Sequence, residues 1–151
     1  IRFADVLLMR AEALIELNRE SEALPLINQI RQRAQDSANG MVNYSDPDLK
    51  PVMEVALYQD GSNCVWNQEF ARYALRWERR LEFAMENMRF FDLVRWGICS
   101  ETMNKYFQSE KARRSYLKEA VFTKNKNEYA PIPQQQIGYS KDVYKQNYGW
   151  K

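Results

Sequence analysis

Histidine is missing from all 151 residues of this chain. That removes the commonest metal ligand and the commonest general base together. It also excludes the Glu-x-x-His helix sites of di-iron bundles. Cysteine is scarce: Cys64 and Cys99 lie far apart and fit no zinc spacing. They form either one disulfide or two free thiols, with free and buried the expectation. No apolar run approaches the ~18 residues of a membrane-spanning helix. An excess of one charge is also lacking, since 22 basic and 20 acidic residues leave +2. Nucleic acid as the main partner normally demands a strong basic excess and is therefore not expected. The opening IRFADVLLMRAEAL is broken by charges, so it is no signal peptide. It reads as a helix already under way, and the chain is expected to be a fragment of a longer protein.

What is present centres on Phe70–Gly97, FARYALRWERRLEFAMENMRFFDLVRWG. Apolar residues at Phe70, Ala74, Trp77, Leu81, Ala84, Met85 and Met88 have the three-and-four spacing of one buried helical face. Glu78, Glu82 and Glu86 stand four apart on another face. Like charges so placed repel by about 0.2–0.5 kcal/mol per pair and need cations. Arg89 and Arg95 are the nearest, with Asp92 within reach of either. Glu78, Glu82, Arg89, Asp92 and Arg95 are therefore expected to form a structural ion-pair network under aromatic cover. Two carboxylates on one helix are also the equipment of a glycoside hydrolase, where roughly 5–5.5 Å or 6.5–9.5 Å separates them. Arginines beside Glu78 and Glu82 would lower their pKa values and disfavour a general acid.

The rest of the chain reads as helices and loops. Residues 1–18 carry an apolar stripe at Ala4, Leu7, Leu8, Ala11, Leu14 and Ile15, with Asp5, Glu12 and Glu16 facing out. Ser21 is the expected cap of a second helix over about 22–35, with Pro25 in or just past its first turn. So short a link makes the two helices antiparallel neighbours. The pair resembles one tetratricopeptide-type hairpin, whose repeat is about 34 residues and which must lean on neighbours to bury its faces. Asn67 is the expected cap of the central helix. A break is expected at Glu86-Asn87, then a short helix from Arg89 to Trp96 closing at Gly97. Ser100-Glu101-Thr102 starts another helix, with Met103, Tyr106 and Phe107 inward. Tyr129 to Pro133 must be extended, and Ile137, Val143, Tyr144, Tyr148 and Trp150 are expected to strap the tail down.

Between the hairpin and the central helix, residues 36–66 change character: Gly40, Gly61, Pro47, Pro51, Asp36, Asp46, Asp48 and Asp60 mark a long loop. Val52 to Tyr58 is a short apolar run within it. Tyr44, Tyr58 and Trp66 occur here with Asn43, Gln59, Asp60, Asn63 and Asn67. A ring covers the C–H face of a pyranose while amides and carboxylates pair with its hydroxyls. On that chemistry Tyr58, Asp60, Asn63 and Trp66 are the candidate ligand-binding residues. The alternative is a surface loop with ordinary packing aromatics.

Four segments, in order, carry a family likeness: Ala4–Ala34, Trp77–Gly97 (WERRLEFAMENMRFFDLVRWG), Tyr129–Ile137 (YAPIPQQQI) and Gln146–Trp150 (QNYGW). The chain resembles the C-terminal part of the SusD/RagB family of outer-membrane nutrient-binding lipoproteins. The family often has Gly where Asn87 stands and often ends in Asn-Pro-Gly-Tyr; Asn147-Tyr148-Gly149-Trp150 departs at two positions.

The resemblance implies an all-α fold, with a tetratricopeptide-like hairpin (1–36), a loop (37–66), central helices (67–97) and a helix with a strapping tail (98–151) in one domain. It implies a surface-exposed protein of the outer membrane, held by an N-terminal lipid anchor outside this chain. Its role would be to capture a glycan or oligosaccharide for a SusC-like TonB-dependent transporter. No catalysis, cofactor or metal is implied. The family's motifs here are scaffold, so no ligand residue transfers by position. The competing expectation is a hairpin module that docks the transporter without a ligand site of its own.

Overall fold

The computed structural model describes residues 1–41, 54–141 and 143–150. The expectations that fall on Asn43, Tyr44, Asp46, Pro47, Asp48, Pro51 and the start of the Val52–Tyr58 run lie outside the described residues. The regular elements are helices, with no strand among the described residues. The chain divides into two compact units, Ile1–Glu86 and Asn87–Lys151.

The first unit is built on a hairpin. α1 (Phe3–Glu16) buries Ala4, Leu8, Ala11, Leu14 and Ile15, the expected stripe with Leu7 only half covered. It stops at Asn18, whose φ of 56° is the left-handed turn that Asn tolerates. Arg19 N–H then donates back to the Leu14 carbonyl at 2.9 Å, closing the helix end. α2 (Glu20–Asn39) begins ahead of Ser21, with Arg19 at the cap position and no side-chain cap bond. Ser21 is thus no cap, and Pro25 lies deeper in the helix than expected. Ala23, Ile27 and Ile30 are buried, and the three-residue link folds α2 back along α1.

α3 (Gln68–Glu82) packs on both. Asn67 caps it as expected, its Oδ1 accepting the Phe70 N–H at 2.9 Å. The buried face differs from the expected one. Ala71, Ala74, Leu75, Glu78 and Arg79 are covered, whereas Trp77 is 39% exposed, Leu81 is exposed and Met85 is 99% exposed. Asp5, expected to face out, is buried on α1 and accepts from Arg79 at 3.0 Å. The face of α3 turned to the hairpin therefore combines small and medium apolar residues (Ala71, Ala74, Leu75) with the paired Arg79 and Glu78, and leaves its largest apolar side chains outside.

The cations found on the glutamate column also differ from expectation. Arg31 of α2 donates to Glu78 at 3.0 Å. Arg2 donates to Glu82 and Glu86, both at 2.7 Å, and Arg33 also meets Glu82. Arg2 and the α2 arginines Arg31 and Arg33 supply this charge. Arg95 does pair with Asp92, at 2.9 Å.

In the second unit, α4 (Arg89–Arg95) and α5 (Cys99–Glu110) enclose a small core of Leu93, Cys99 and Phe122, joined by Val94, Ile98, Met103 and Phe107. α3 has already ended at Glu82, four residues before the expected break, although Asn87 does turn left-handed at φ 61°. Gly97, at φ 70°, closes α4 as expected. α5 starts at Cys99, so Ser100 is not its cap; its hydroxyl donates to the Phe122 carbonyl at 3.2 Å. A 3-10 turn follows at Ser115–Leu117. The tail forms a short helix, α6 (Gln134–Tyr139), that the proline pattern does not announce. Of the five expected strapping residues, Ile137 is buried and Trp150 half-buried, while Val143, Tyr144 and Tyr148 are exposed. The Trp150 indole donates to Lys126 and Tyr129 carbonyls at 3.1 and 2.9 Å. Both cysteines are free thiols, Cys99 buried and Cys64 half-buried.

Candidate binding site

The four candidate residues converge in one tight turn ahead of α3. Gly61 takes φ 71° there, and its N–H donates to the Cys64 carbonyl at 3.0 Å. Ser62 and Asn63 N–H groups both donate to the Gln59 carbonyl at 3.1 Å.

The polar groups of the candidates are largely spent on this turn. Asp60 Oδ1 accepts the Trp66 N–H at 2.8 Å. Asn63 accepts the Gln59 N–H at 2.8 Å and donates to the Leu57 carbonyl at 2.7 Å. Trp66 is only 8% exposed, and its indole N–H donates to the Glu20 carbonyl at 2.7 Å. A ring so buried is an anchor for the turn rather than an open stacking surface. Tyr58 is half-buried, 5.6 Å from Trp66 and 5.7 Å from Phe70 between ring centres, with the Arg31 guanidinium 4.4 Å over its ring. Burial first of all raises its phenol pKa, and Arg31 opposes that.

The exposed rings lie next to this turn, along α3. Phe70 is half-buried, Tyr73 is 56% exposed and Trp77 partly so, with centres 6.0 and 6.2 Å apart in sequence. The exposed Arg80 stacks 4.8 Å over Trp77. A hollow of about 370 Å³ is lined by Val65, Asn67, Glu69, Phe70 and Tyr73. Sequence reasoning missed Tyr73 and placed Phe70 and Trp77 in the core. The signal was available, because 70, 73 and 77 share one helical face of their own.

The carboxylates considered for hydrolysis are locked in structure. Glu78 and Glu82 side chains are nearly buried, and each meets at least one guanidinium. A second hollow, of about 290 Å³, touches both, together with Arg31, Ala34, Glu54, Val55 and Leu81. For Glu78 the expected direction of the pKa is reversed. Burial raises it, and the hydrogen bond from Arg31 only partly offsets that. Among the described residues no group of three or more His, Cys, Asp or Glu could hold a metal ion. No helix among them is long and apolar enough to cross a membrane.

Comparison with known proteins agrees with the likeness carried by the four segments. A SusD-like protein, P38, from Formosa agariphila is 34% identical over 102 residues, 68% of this chain and 17% of its own length. A second from the same organism, P25, is 35% identical over 102 residues, 68% of this chain and 16% of its own. The crystal structure of a SusD homolog from Bacteroides thetaiotaomicron superposes over 99% of this chain with a TM-score of 0.71 and 29% identity. The match takes up 26% of that solved chain, so the present chain spans a minor part of each relative. The SusD family profile matches residues 1–150, and the chain belongs to the SusD family.

Proposed function

We propose that this chain is the C-terminal part of a surface nutrient-binding lipoprotein of the outer membrane, which captures glycans for a SusC-like TonB-dependent transporter and performs no catalysis. The observation that carries it is the family match over residues 1–150. Exposed rings beside a hollow support this reading. Tyr73 and Trp77 present ring faces beside the Val65–Tyr73 hollow, where Glu69 and Asn67 supply polar atoms. Tyr58, Asp60, Asn63 and Trp66 belong to the turn from which Val65 reaches the hollow. Titration of the full-length protein with an oligosaccharide panel, read by tryptophan fluorescence and calorimetry, tests this. Saturable binding that Tyr73→Ala and Trp77→Ala weaken by about 1–3 kcal/mol supports it. Silence across the panel counts against it.

A second function, docking of the transporter alone, is favoured by one observation. α1 turns Phe3, Val6 and Met9 outward, next to a hollow of about 370 Å³ lined by Phe3, Ala4, Leu7 and Ile30, with Arg2, Gln29 and Arg33. Co-purification with a barrel transporter, together with no glycan affinity, would select it.

A further inference from the structure

The segment 55–58 is held to α2 by side chains that grip its main chain. Asn28 does so twice: its Nδ2 donates to the Tyr58 carbonyl and its Oδ1 accepts the Tyr58 N–H, both at 2.9 Å. Arg31 Nε donates to the Ala56 carbonyl at 2.6 Å. Gln35 Nε2 donates to the Val55 carbonyl at 2.7 Å. The remaining carbonyl, that of Leu57, goes to Asn63. Every carbonyl from 55 to 58 is thus taken by a side chain.

The spacing suits the task. Positions 28, 31 and 35 lie on one helical face. Seven helical residues rise about 10 Å, and three extended residues cover about the same distance. The match in length lets three side chains of α2 reach successive carbonyls of 55–58. The paired donor and acceptor of one asparagine amide reproduce what a neighbouring strand would offer. Arg31 is itself fixed from the far side by Glu78 at 3.0 Å and lies over the Tyr58 ring.

We propose that the Asn28–Arg31–Gln35 face of α2 is a receptor for extended peptide backbone, that its occupant is this chain's own segment 55–58, and that Asn28 and Arg31 position the turn 59–66 through it. The hairpin is therefore closed on this face to an extended peptide from another protein. Its recognition surface serves the chain itself. The effect on ligand capture rests on the glycan-binding role proposed above; the strap does not.

Amide hydrogen exchange on the full-length protein separates the two. Asn28→Leu keeps the volume and removes both bonds to Tyr58. The Tyr58 amide and the turn to Trp66 should then exchange at least tenfold faster, with α1 and α3 unchanged. Gln35→Ala, a milder change at the other end of the strap, should also speed exchange at the Tyr58 amide, which is bonded to Asn28, and keeps the test valid if Asn28→Leu fails to fold. Exchange in the strap as slow as in the parent protein would overturn the assignment. In a parent that binds an oligosaccharide, Asn28→Leu should weaken binding several-fold. Faster exchange with unaltered affinity would overturn the positioning role. A parent that binds no sugar would refute the glycan reading alone, and the exchange result would still decide the strap.

Discussion

Replacing Arg31 by Met tests how this protein uses its buried charge. The Arg31 and Glu78 side chains are 16% and 6% exposed, so water does little to shield the pair. Removing one member of a buried pair leaves the other charge stranded, which typically costs about 3–5 kcal/mol. Loss of the bond to the Ala56 carbonyl adds about 1 kcal/mol. The deficit should depend on pH, in a direction fixed by Glu78. Burial already raises this acid above its ordinary value of 4.5 even with Arg31 present. Without Arg31 it must rise further. An acid with a raised folded value binds its proton more tightly folded than unfolded, so it penalises the fold at high pH. That penalty fades as the pH falls through the folded value toward the unfolded one. Urea unfolding of parent and Arg31→Met protein at about pH 7.5 and about pH 5 should show the smaller difference at the acid end. Adding Glu78→Gln should restore at least half of the loss at the higher pH. A deficit that is constant with pH, or that deepens in acid, would refute the idea that a stranded Glu78 carboxylate is the cause.

Other expectations are simpler. Asp5→Ala takes a carboxylate from Arg79, which is 2% exposed, and should lower stability by on the order of 3 kcal/mol in the same urea assay. Gly149→Ala places a methyl 2.7 Å from Lys126 Cβ at a φ of 79°; the left-handed backbone alone costs about 1–2 kcal/mol. Its expected result is release of the Trp150 indole from Lys126 and Tyr129, seen as a red shift in Trp150 emission in a variant with the other tryptophans replaced. Asn67→Ala removes the cap of α3 and should cost about 1 kcal/mol, with Asn67→Ser recovering most of it in thermal melts. Trp66→Phe should keep the packing and lose about 1 kcal/mol with the bond to the Glu20 carbonyl, again by melting.

Local chemistry made several features legible before any fold was known. The absence of His excluded whole classes of site. Ala4, Leu8, Ala11 and Ile15 announced α1, Asn67 announced the start of α3, and Gly97 the end of α4. The four family segments announced membership of the SusD family. The candidate site was legible in part. Composition drew Tyr58, Asp60, Asn63 and Trp66 together, and they do meet. It could not say that Asp60 and Asn63 would serve main-chain groups, or that Trp66 would be buried. Tyr73 shares a helical face with Phe70 and Trp77, but that spacing does not say whether the face is turned to the core or to water.

The sequence by itself determined the elements whose causes lie within a turn or two: the apolar stripe of the hairpin, caps, glycine stops and family motifs. Tertiary structure decided which faces met. Asp5 and Arg79 are 74 residues apart, and so weigh nothing in any local window, yet they are buried together between α1 and α3. Glu78 and Glu82 likewise took Arg31 and Arg33 from α2 and Arg2 from the residue before α1, all distant in sequence. Coulomb attraction in a dry interior depends on distance through space, and only the fold sets that distance.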